Sequence, residues 1–111
     1  MVAEATATVV VHLRDQKWDM ARAREYSGTY HLSAAGQTSW AEFAAAILSE
    51  YAGRPEAEQF KVRKIIPITT AEYPLPARRP ANSLLSNQKI TQAFGIVMPS
   101  WRDQLRLVLG L

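Results

Sequence analysis

The 111-residue sequence contains no cysteine and only two histidines. Without thiols the chain cannot form disulfides, carry out thiolate chemistry or bind zinc through cysteine. His12 and His31 follow no metal-ligand spacing, so we expect no metal site. We also expect neither to be catalytic, since no carboxylate is placed to orient His12, and Tyr30 would point to the opposite strand face from His31. His12 is interpreted as a surface or half-buried side chain.

Long apolar runs and concentrated charge are also missing. No run approaches the ~18 residues needed to span a bilayer, and the N-terminus lacks the pattern of a secretory signal. We therefore expect no membrane contact and a cytoplasmic location. The basic excess of 13 over 10 residues is small and spread along the chain. Nucleic-acid binders cluster such residues on one face, so we expect no nucleic-acid partner.

The composition is that of one small globular domain covering residues 1–111. Hydrophobic residues make up 48% and charged residues 21% of the chain, close to the average for folded proteins. The length suffices for a single core. We predict an α+β class, helix-rich with a few short strands.

Helix signals recur along the chain. Residues 5–17 show helical apolar spacing, although three consecutive valines also favour a strand, and residues 18–26 read as either a frayed helical turn or a loop. A capping box at Ser39 and Glu42 predicts the most secure helix, which ends before Gly53. Ser86 is predicted to cap a short helix that stops at Gly95, and Ser100 follows Pro99 at the start of the last helix.

Strand signals are weaker. Alternating polar and β-favouring residues predict strands at residues 29–33 and 62–69, where Pro67 limits pairing to an edge or an end. The predicted core consists of the apolar residues on the inner faces of these elements: Leu32, Trp40, Phe43 or Ala44, Ile47, Leu48, Ile66, Ile90, Phe94, Trp101, Leu105 and Val108.

The segment best suited to binding is residues 74–85, hereafter the proline-arginine loop. Its three prolines fix φ near about −65° and keep the backbone extended before any ligand arrives. Adjacent guanidinium groups of Arg78 and Arg79 match the paired oxygens of a phosphate or carboxylate. Alternatively, one arginine secures a helix end or a carboxylate while the other is solvated. The candidate ligand-binding residues are Arg78, Arg79, Asn82, Ser83, Tyr73 and Thr70.

Residues 71–83, AEYPLPARRPANS, resemble the loop near the C-terminus of dTDP-4-dehydrorhamnose reductases. The run GTYHL at residues 28–32, the TSW at 38–40 and residues 83–111 resemble that family's strand, helix opening and terminal helices. The resemblance implies an NADPH-dependent (or NADH-dependent) reductase of the extended short-chain dehydrogenase type, acting on the keto sugar of a dTDP-sugar. It further implies that this chain is the C-terminal substrate-binding lobe, with the dTDP-sugar and an N-terminal Rossmann domain as partners.

The residues that would hold the cofactor and perform the chemistry are absent from the sequence. The five glycines are too scattered for a pyrophosphate-binding turn. The Tyr-x-x-x-Lys pair of short-chain reductases is also missing, because Ala77 follows Tyr73 and Tyr30 follows Tyr26 at that spacing. We therefore expect no catalytic residue and no nicotinamide binding in this chain, which would be inactive alone.

Two other interpretations stay open at this point. The chain could be a non-catalytic binding or regulatory module derived from the same superfamily, or an unrelated small α+β interaction domain whose loop resembles the family's. An in-frame upstream sequence with a Gly-x-x-Gly-x-x-Gly turn and a Tyr-x-x-x-Lys pair would separate the first interpretation from these. A lobe without its Rossmann domain should also leave an apolar patch open, which favours self-association.

Overall fold

The chain is built mainly from helices. A computed structural model describes residues 2–17, 19–77 and 80–111. In that part of the chain it has five α-helices and two 3-10 helices: α1 (Val2–Asp15), α2 (Met20–Glu25), α3 (Trp40–Tyr51), the 3-10 helices Pro55–Gln59 and Thr70–Glu72, α4 (Gln88–Phe94) and α5 (Trp101–Val108). The predicted helix-rich character is confirmed.

These elements form two compact units. Unit 1 comprises Met1–Ala35 and Leu84–Pro99 and contains α1, α2 and α4. Unit 2 comprises Gly36–Ser83 and Ser100–Leu111 and contains α3, both 3-10 helices and α5. That residues 1–111 act as one substrate-binding lobe stays a prediction.

The core of unit 1 lies between α1, α4 and the segments beside them. Its buried residues are Ala5, Ile90, Ile96 and Met98, and the partly buried residues packed on them are Val9, Tyr30, Leu32 and Phe94. The predictions for Leu32, Ile90 and Phe94 are confirmed. Ala5, Ile96 and Met98 were not predicted, because the small Ala5 and the non-helical segment after Gly95 carry no periodic signal.

Helical spacing prevails over the strand propensity of the valines in α1. The helix covers Val2–Asp15, and the hydroxyls of Thr6 and Thr8 donate to carbonyls four residues earlier, so both hydroxyls are satisfied within the helix. Of the two alternatives for this region, the helical one is realised over Met20–Glu25. The Asp19 carboxylate accepts from the Ala21 N–H at 2.9 Å and so caps α2.

The predicted small sheet is not confirmed, and neither is the α+β class. Within the described residues, no segment belongs to a ladder of β-strands. Residues 29–33 have no regular secondary structure, and side chains hold their backbone: Lys89 Nζ donates to the Thr29 carbonyl at 2.9 Å, and the Asn87 amide pairs with the Ser33 backbone. Residues 62–69 likewise have no regular secondary structure, and Pro67 lacks the N–H that pairing would use.

Unit 2 is held together by α3 and α5. The predicted capping box opens α3: the Ser39 hydroxyl accepts from the Glu42 N–H at 3.1 Å, and Glu42 Oε2 accepts from the Ser39 N–H at 3.0 Å. Ser100 caps α5 by accepting from the Asp103 N–H. Packing between the helices buries Ala46 and Leu105 and brings the Phe43 and Trp101 rings to 5.9 Å between centroids.

Three residues predicted for the core are exposed instead. Trp40 is 84% exposed, Val108 82% and Ile66 68%. Trp40 is the first residue of α3 and Val108 the last of α5. Helical periodicity places both on the inner face of their helix, but the packed part of that face does not extend to the helix ends. Ile66 was predicted from a buried strand face, which requires a sheet partner that the described residues do not supply.

The short helix α4 begins and ends close to its predicted limits. Ser86 Oγ accepts from the Gln88 N–H at 3.2 Å as predicted, although the N-cap position belongs to Asn87. Gly95 ends the helix in the left-handed conformation with φ of 67°, which a residue with a Cβ adopts at a cost. Among the described helices, none is both long and apolar enough to cross a membrane.

Candidate functional site

The entrance to the proline-arginine loop is a single 3-10 turn, Thr70–Glu72. Thr69 caps this turn, and its N–H and hydroxyl donate to Glu72 Oε2 at 2.6 and 2.7 Å. The Thr69 N–H, and after it the hydroxyl, hold the pKa of the Glu72 carboxyl below its usual value of 4.5. The backbone that leads into the loop is thereby fixed by hydrogen bonds between Thr69 and Glu72.

Thr70 and Tyr73 are brought together by this turn. The Tyr73 N–H donates to the Thr70 carbonyl at 3.3 Å. Both side chains are exposed, and the Tyr73 ring is 62% accessible. The two candidate residues that precede the prolines are therefore neighbours on the surface of unit 2.

The remaining candidates are placed only in part. Asn82 and Ser83 are described and exposed. Arg78 and Arg79 lie outside the described residues, so the grouping of all six candidates stays a prediction. Every described residue from Ile66 to Ser86 is exposed, which means that this segment can meet a ligand or another domain directly.

A second concave surface, in unit 1, was missed by the sequence analysis. It is a cleft of about 320 Å³ lined by residues of α1, α2, the segment after α2, and α4: Val9, Leu13, Ala23, Tyr26, Ser27, Gly28, Tyr30, Ile90 and Phe94. Its aromatic residues are as far apart as positions 26 and 94, and no local motif links them. The missing signal is therefore a long-range contact, which a single sequence does not reveal.

His12 adjoins this cleft and is half-buried, as predicted. Its ring lies edge-on to Tyr26 and to Phe94, with centroid distances of 5.0 and 5.4 Å. Its Nε2 atom is buried and has no hydrogen-bond partner among the described residues. His31, by contrast, is exposed. In the described part of the chain, no three His, Asp or Glu side chains gather as a metal site would require.

The described residues do not fit a nicotinamide dinucleotide. Such a cofactor is held where a glycine-rich turn leads into a helix N-terminus. Here Gly53, Gly95 and Gly110 follow the ends of α3, α4 and α5. Gly28 and Gly36 flank the non-helical segment of residues 29–35 and open no helix.

Comparison with known proteins connects this architecture to a family. The profile of the family described as the RmlD substrate binding domain matches residues 2–110. The chain belongs to this family. The match includes the proline-arginine loop, so the resemblance that the loop carries is confirmed.

Curated relatives bear the same name as the enzyme suggested by the loop. The dTDP-4-dehydrorhamnose reductase of Burkholderia thailandensis is 53% identical over 76 residues, which cover 68% of this chain and 26% of the relative. The Sinorhizobium fredii enzyme of that name is 46% identical over 79 residues, which cover 71% of this chain and 25% of the relative. The Escherichia coli enzyme of that name is 38% identical over 86 residues, which cover 78% of this chain and 28% of the relative. The chain spans about a quarter of the length of these relatives.

Proposed function

We propose that this chain is the C-terminal, dTDP-sugar-binding part of a dTDP-4-dehydrorhamnose reductase, an enzyme of dTDP-L-rhamnose biosynthesis, and that it is inactive alone. The observation that carries the proposal is the match of residues 2–110 to a substrate binding domain. Relatives named as this reductase cover most of the chain while the chain covers only about a quarter of them. The remaining three quarters leave room for a separate cofactor domain.

In this proposal the proline-arginine loop binds the dTDP-sugar. Its diphosphate is the anion that a guanidinium of Arg78 or Arg79 recognises. Asn82 and Ser83 offer an amide and a hydroxyl on the far side of Pro80, while Thr70 and Tyr73 offer two hydroxyls on the near side. The exposure of Thr70 and Tyr73 and the fixed Thr69–Glu72 turn support this assignment.

The cofactor belongs to the rest of the parent enzyme. NADPH, or NADH, would supply the hydride for the keto sugar and be held by the N-terminal Rossmann domain, because the glycines of this chain open no helix. No step of the reaction is therefore assigned to residues of the chain beyond holding and orienting the sugar nucleotide. The parent is expected in the cytoplasm.

We further propose that the exposed apolar residues of unit 2 face the N-terminal domain of the parent. In residues 62–69, three apolar side chains at even positions, Val62, Ile66 and Ile68, are exposed, as on one face of a strand. This segment would gain its partner strand from the missing domain. Trp40 and Val108 would likewise be covered there, and in isolation they favour self-association.

A chimera tests the reductase assignment. The C-terminal region of the B. thailandensis reductase is replaced by this chain, and oxidation of NADPH with dTDP-4-dehydrorhamnose is followed. We expect turnover by the chimera and none by the isolated chain. The unaltered relative is the positive control. A chimera with the circular dichroism and melting curve of the relative but no turnover would contradict the proposal, as would saturable nicotinamide binding by the isolated chain.

Light scattering after size-exclusion chromatography tests the exposed patch. We expect the isolated chain to associate reversibly as its concentration rises, and the Trp40→Gln and Val108→Gln variants to associate less. Arg54→Gln, a polar exposed position in the same unit, is the control. If the isolated chain stayed strictly monomeric at high concentration, this would contradict the proposal that Trp40 and Val108 belong to an apolar patch that is covered in the parent.

A further inference from the structure

The cleft in unit 1 has the size and lining of a small-molecule site. Its volume of about 320 Å³ lies at the lower end of the range for ligand pockets, which are mostly apolar with a few placed polar groups. Val9 and Leu13 of α1 and Ile90 of α4 supply aliphatic surface. A ligand in the cleft would remove this surface from water.

Aromatic rings form much of the remaining wall. The Tyr26 and Phe94 rings lie 5.4 Å apart with an angle of 33°, and the Tyr30 and Phe94 rings lie 5.3 Å apart at 57°. The Tyr30 hydroxyl donates to the Tyr26 carbonyl at 2.9 Å, which holds the two tyrosines in place without help from a ligand. A planar ring is the ligand group that such rings contact best, through offset or edge-on stacking.

The positive charge of Lys89 lies beside the cleft. Lys89 Nζ is 4.4 Å from the centroid of the Tyr30 ring and donates to the Thr29 carbonyl at 2.9 Å. A Cβ built on the cleft residue Gly28 would lie only 2.8 Å from the same nitrogen. Glycine at this position therefore admits the ammonium to the cleft's edge. The ammonium has three N–H donors, of which the Thr29 carbonyl takes one.

We propose that this cleft binds a small planar aromatic molecule that carries a phosphate or carboxylate group. The ring enters between the aliphatic and aromatic walls, and the anionic group meets the Lys89 ammonium at the edge. Unlike the sugar-nucleotide assignment, the proposal uses no residue of the proline-arginine loop. The proposal is therefore independent of the reductase assignment.

Binding to the isolated 111-residue chain tests the proposal, with four probes followed by calorimetry and by backbone amide NMR. Phenyl phosphate and benzoate carry both the ring and the charge, benzyl alcohol carries the ring alone, and inorganic phosphate carries the charge alone. We expect at least one aromatic anion to bind about tenfold more tightly than benzyl alcohol or inorganic phosphate, as one charge-assisted hydrogen bond allows. The two anions distinguish a phosphate ligand from a carboxylate ligand.

Two variants locate the site. Lys89→Gln should reduce the affinity of the aromatic anion about tenfold, to that of benzyl alcohol, whereas the control Lys61→Gln in unit 2 should not change it. Ala23→Leu should fill the cleft and abolish binding of the aromatic anion and of benzyl alcohol. Amide shifts of Tyr26, Ser27 and Gly28 in the unaltered chain give an independent readout should Ala23→Leu unfold.

The proposal is overturned by equal affinity for all four probes, by an unchanged affinity in Lys89→Gln, or by shifts confined to unit 2. The last result would assign the binding to the proline-arginine loop instead. None of these outcomes bears on the chimera, whose turnover tests the reductase assignment alone.

Discussion

The side-chain amide of Asn87 pairs with the backbone of Ser33 as a neighbouring strand would. Asn87 Oδ1 accepts from the Ser33 N–H at 3.0 Å, and Asn87 Nδ2 donates to the Ser33 carbonyl at 2.7 Å. Both groups are partly buried, and the two residues are 54 positions apart. This pair joins residues 29–33 to the start of α4, and it satisfies backbone groups that the predicted sheet would otherwise have paired.

Replacing Asn87 tests the weight of this pairing. Asn87→Ala leaves the N–H and the carbonyl of Ser33 without their partner, so we expect the free energy of unfolding to fall by about 1–3 kcal/mol. Asn87→Asp keeps the acceptor but sets a carboxylate beside the Ser33 carbonyl, and we expect it to be destabilising as well. Urea unfolding followed by circular dichroism measures both.

Gln92→Ala on the exposed side of α4 is the matched control, with an expected change within about 0.5 kcal/mol. If Asn87→Ala behaved like this control, water would be replacing the amide at little cost, and the pair would not hold residues 29–33 in place.

The buried Nε2 atom of His12 predicts that replacing this residue by an apolar one will not lower stability. A buried polar atom without a partner costs about 1–3 kcal/mol, and the edge-on contacts of His12 with Tyr26 and Phe94 are ones that phenylalanine can also make. His12→Phe should therefore leave stability unchanged or raise it. Phe94→Ala, which removes a ring from the same cluster, should lower it by about 2 kcal/mol or more. A loss of over about 1 kcal/mol in His12→Phe would indicate that Nε2 is hydrogen-bonded in solution.

The capping box of α3 makes stability depend on pH. The Ser39 N–H, followed by the Thr38 hydroxyl, holds the pKa of Glu42 below its usual 4.5. Because the folded pKa is the lower one, this stabilisation is present above about pH 4.5 and is lost as the pH falls through the folded value. The Glu42 carboxylate is exposed, so the effect is screened by salt.

Melting temperatures between pH 3 and pH 7 test this linkage. Glu42→Gln keeps the hydrogen-bonding shape without the charge, so it should melt below the unaltered chain at pH 7 and converge with it at pH 3. Glu56→Gln, at an exposed glutamate outside both capping boxes, serves as the comparison. A constant difference across this range would mean that the charge of Glu42 contributes nothing.

The two partners of the ion pair between α3 and α5 should differ in how much stability is lost when each is replaced. Arg106 Nε donates to Glu50 Oε1 at 2.9 Å, with the arginine side chain 54% and the glutamate side chain 16% exposed. Arg106→Met leaves a largely covered carboxylate unpaired and should cost about 1–2 kcal/mol, whereas Glu50→Gln leaves an arginine that water can solvate and should cost less than about 1 kcal/mol. Urea unfolding of both single variants and the double variant gives the coupling energy. Equal costs would show that Glu50 is hydrated despite its low exposure.

The helices were predictable because their signals are local. Ser39 with Glu42, Gly95 and Ser100 lie within a few residues of the helix ends that they determine. The sheet was wrongly anticipated at residues 29–33 because the groups that bond this segment, on Asn87 and Lys89, are distant in sequence. Trp40 and Val108 followed the right period but lie at helix ends, where periodicity does not say what covers a side chain. The cleft between α1, α2 and α4 depends wholly on such distant contacts.

The arginines of the proline-arginine loop give the sharpest test of the proposed function. The flanking prolines favour an extended backbone, in which successive side chains point to different sides, so we expect only one of Arg78 and Arg79 to reach the dTDP-sugar while the other secures the loop. In the chimera, alanine at the ligand-facing position should raise KM for the sugar nucleotide about ten- to a hundredfold at an unchanged melting temperature, since one charge-assisted contact contributes about 1.5–3 kcal/mol. Alanine at the other position should lower the melting temperature instead. Lysine at each position separates the requirement for a positive charge from that for a guanidinium fork. If both alanine variants kept KM and melting temperature, the loop would be a solvated connection, and the sugar nucleotide would have to be bound elsewhere in the parent enzyme.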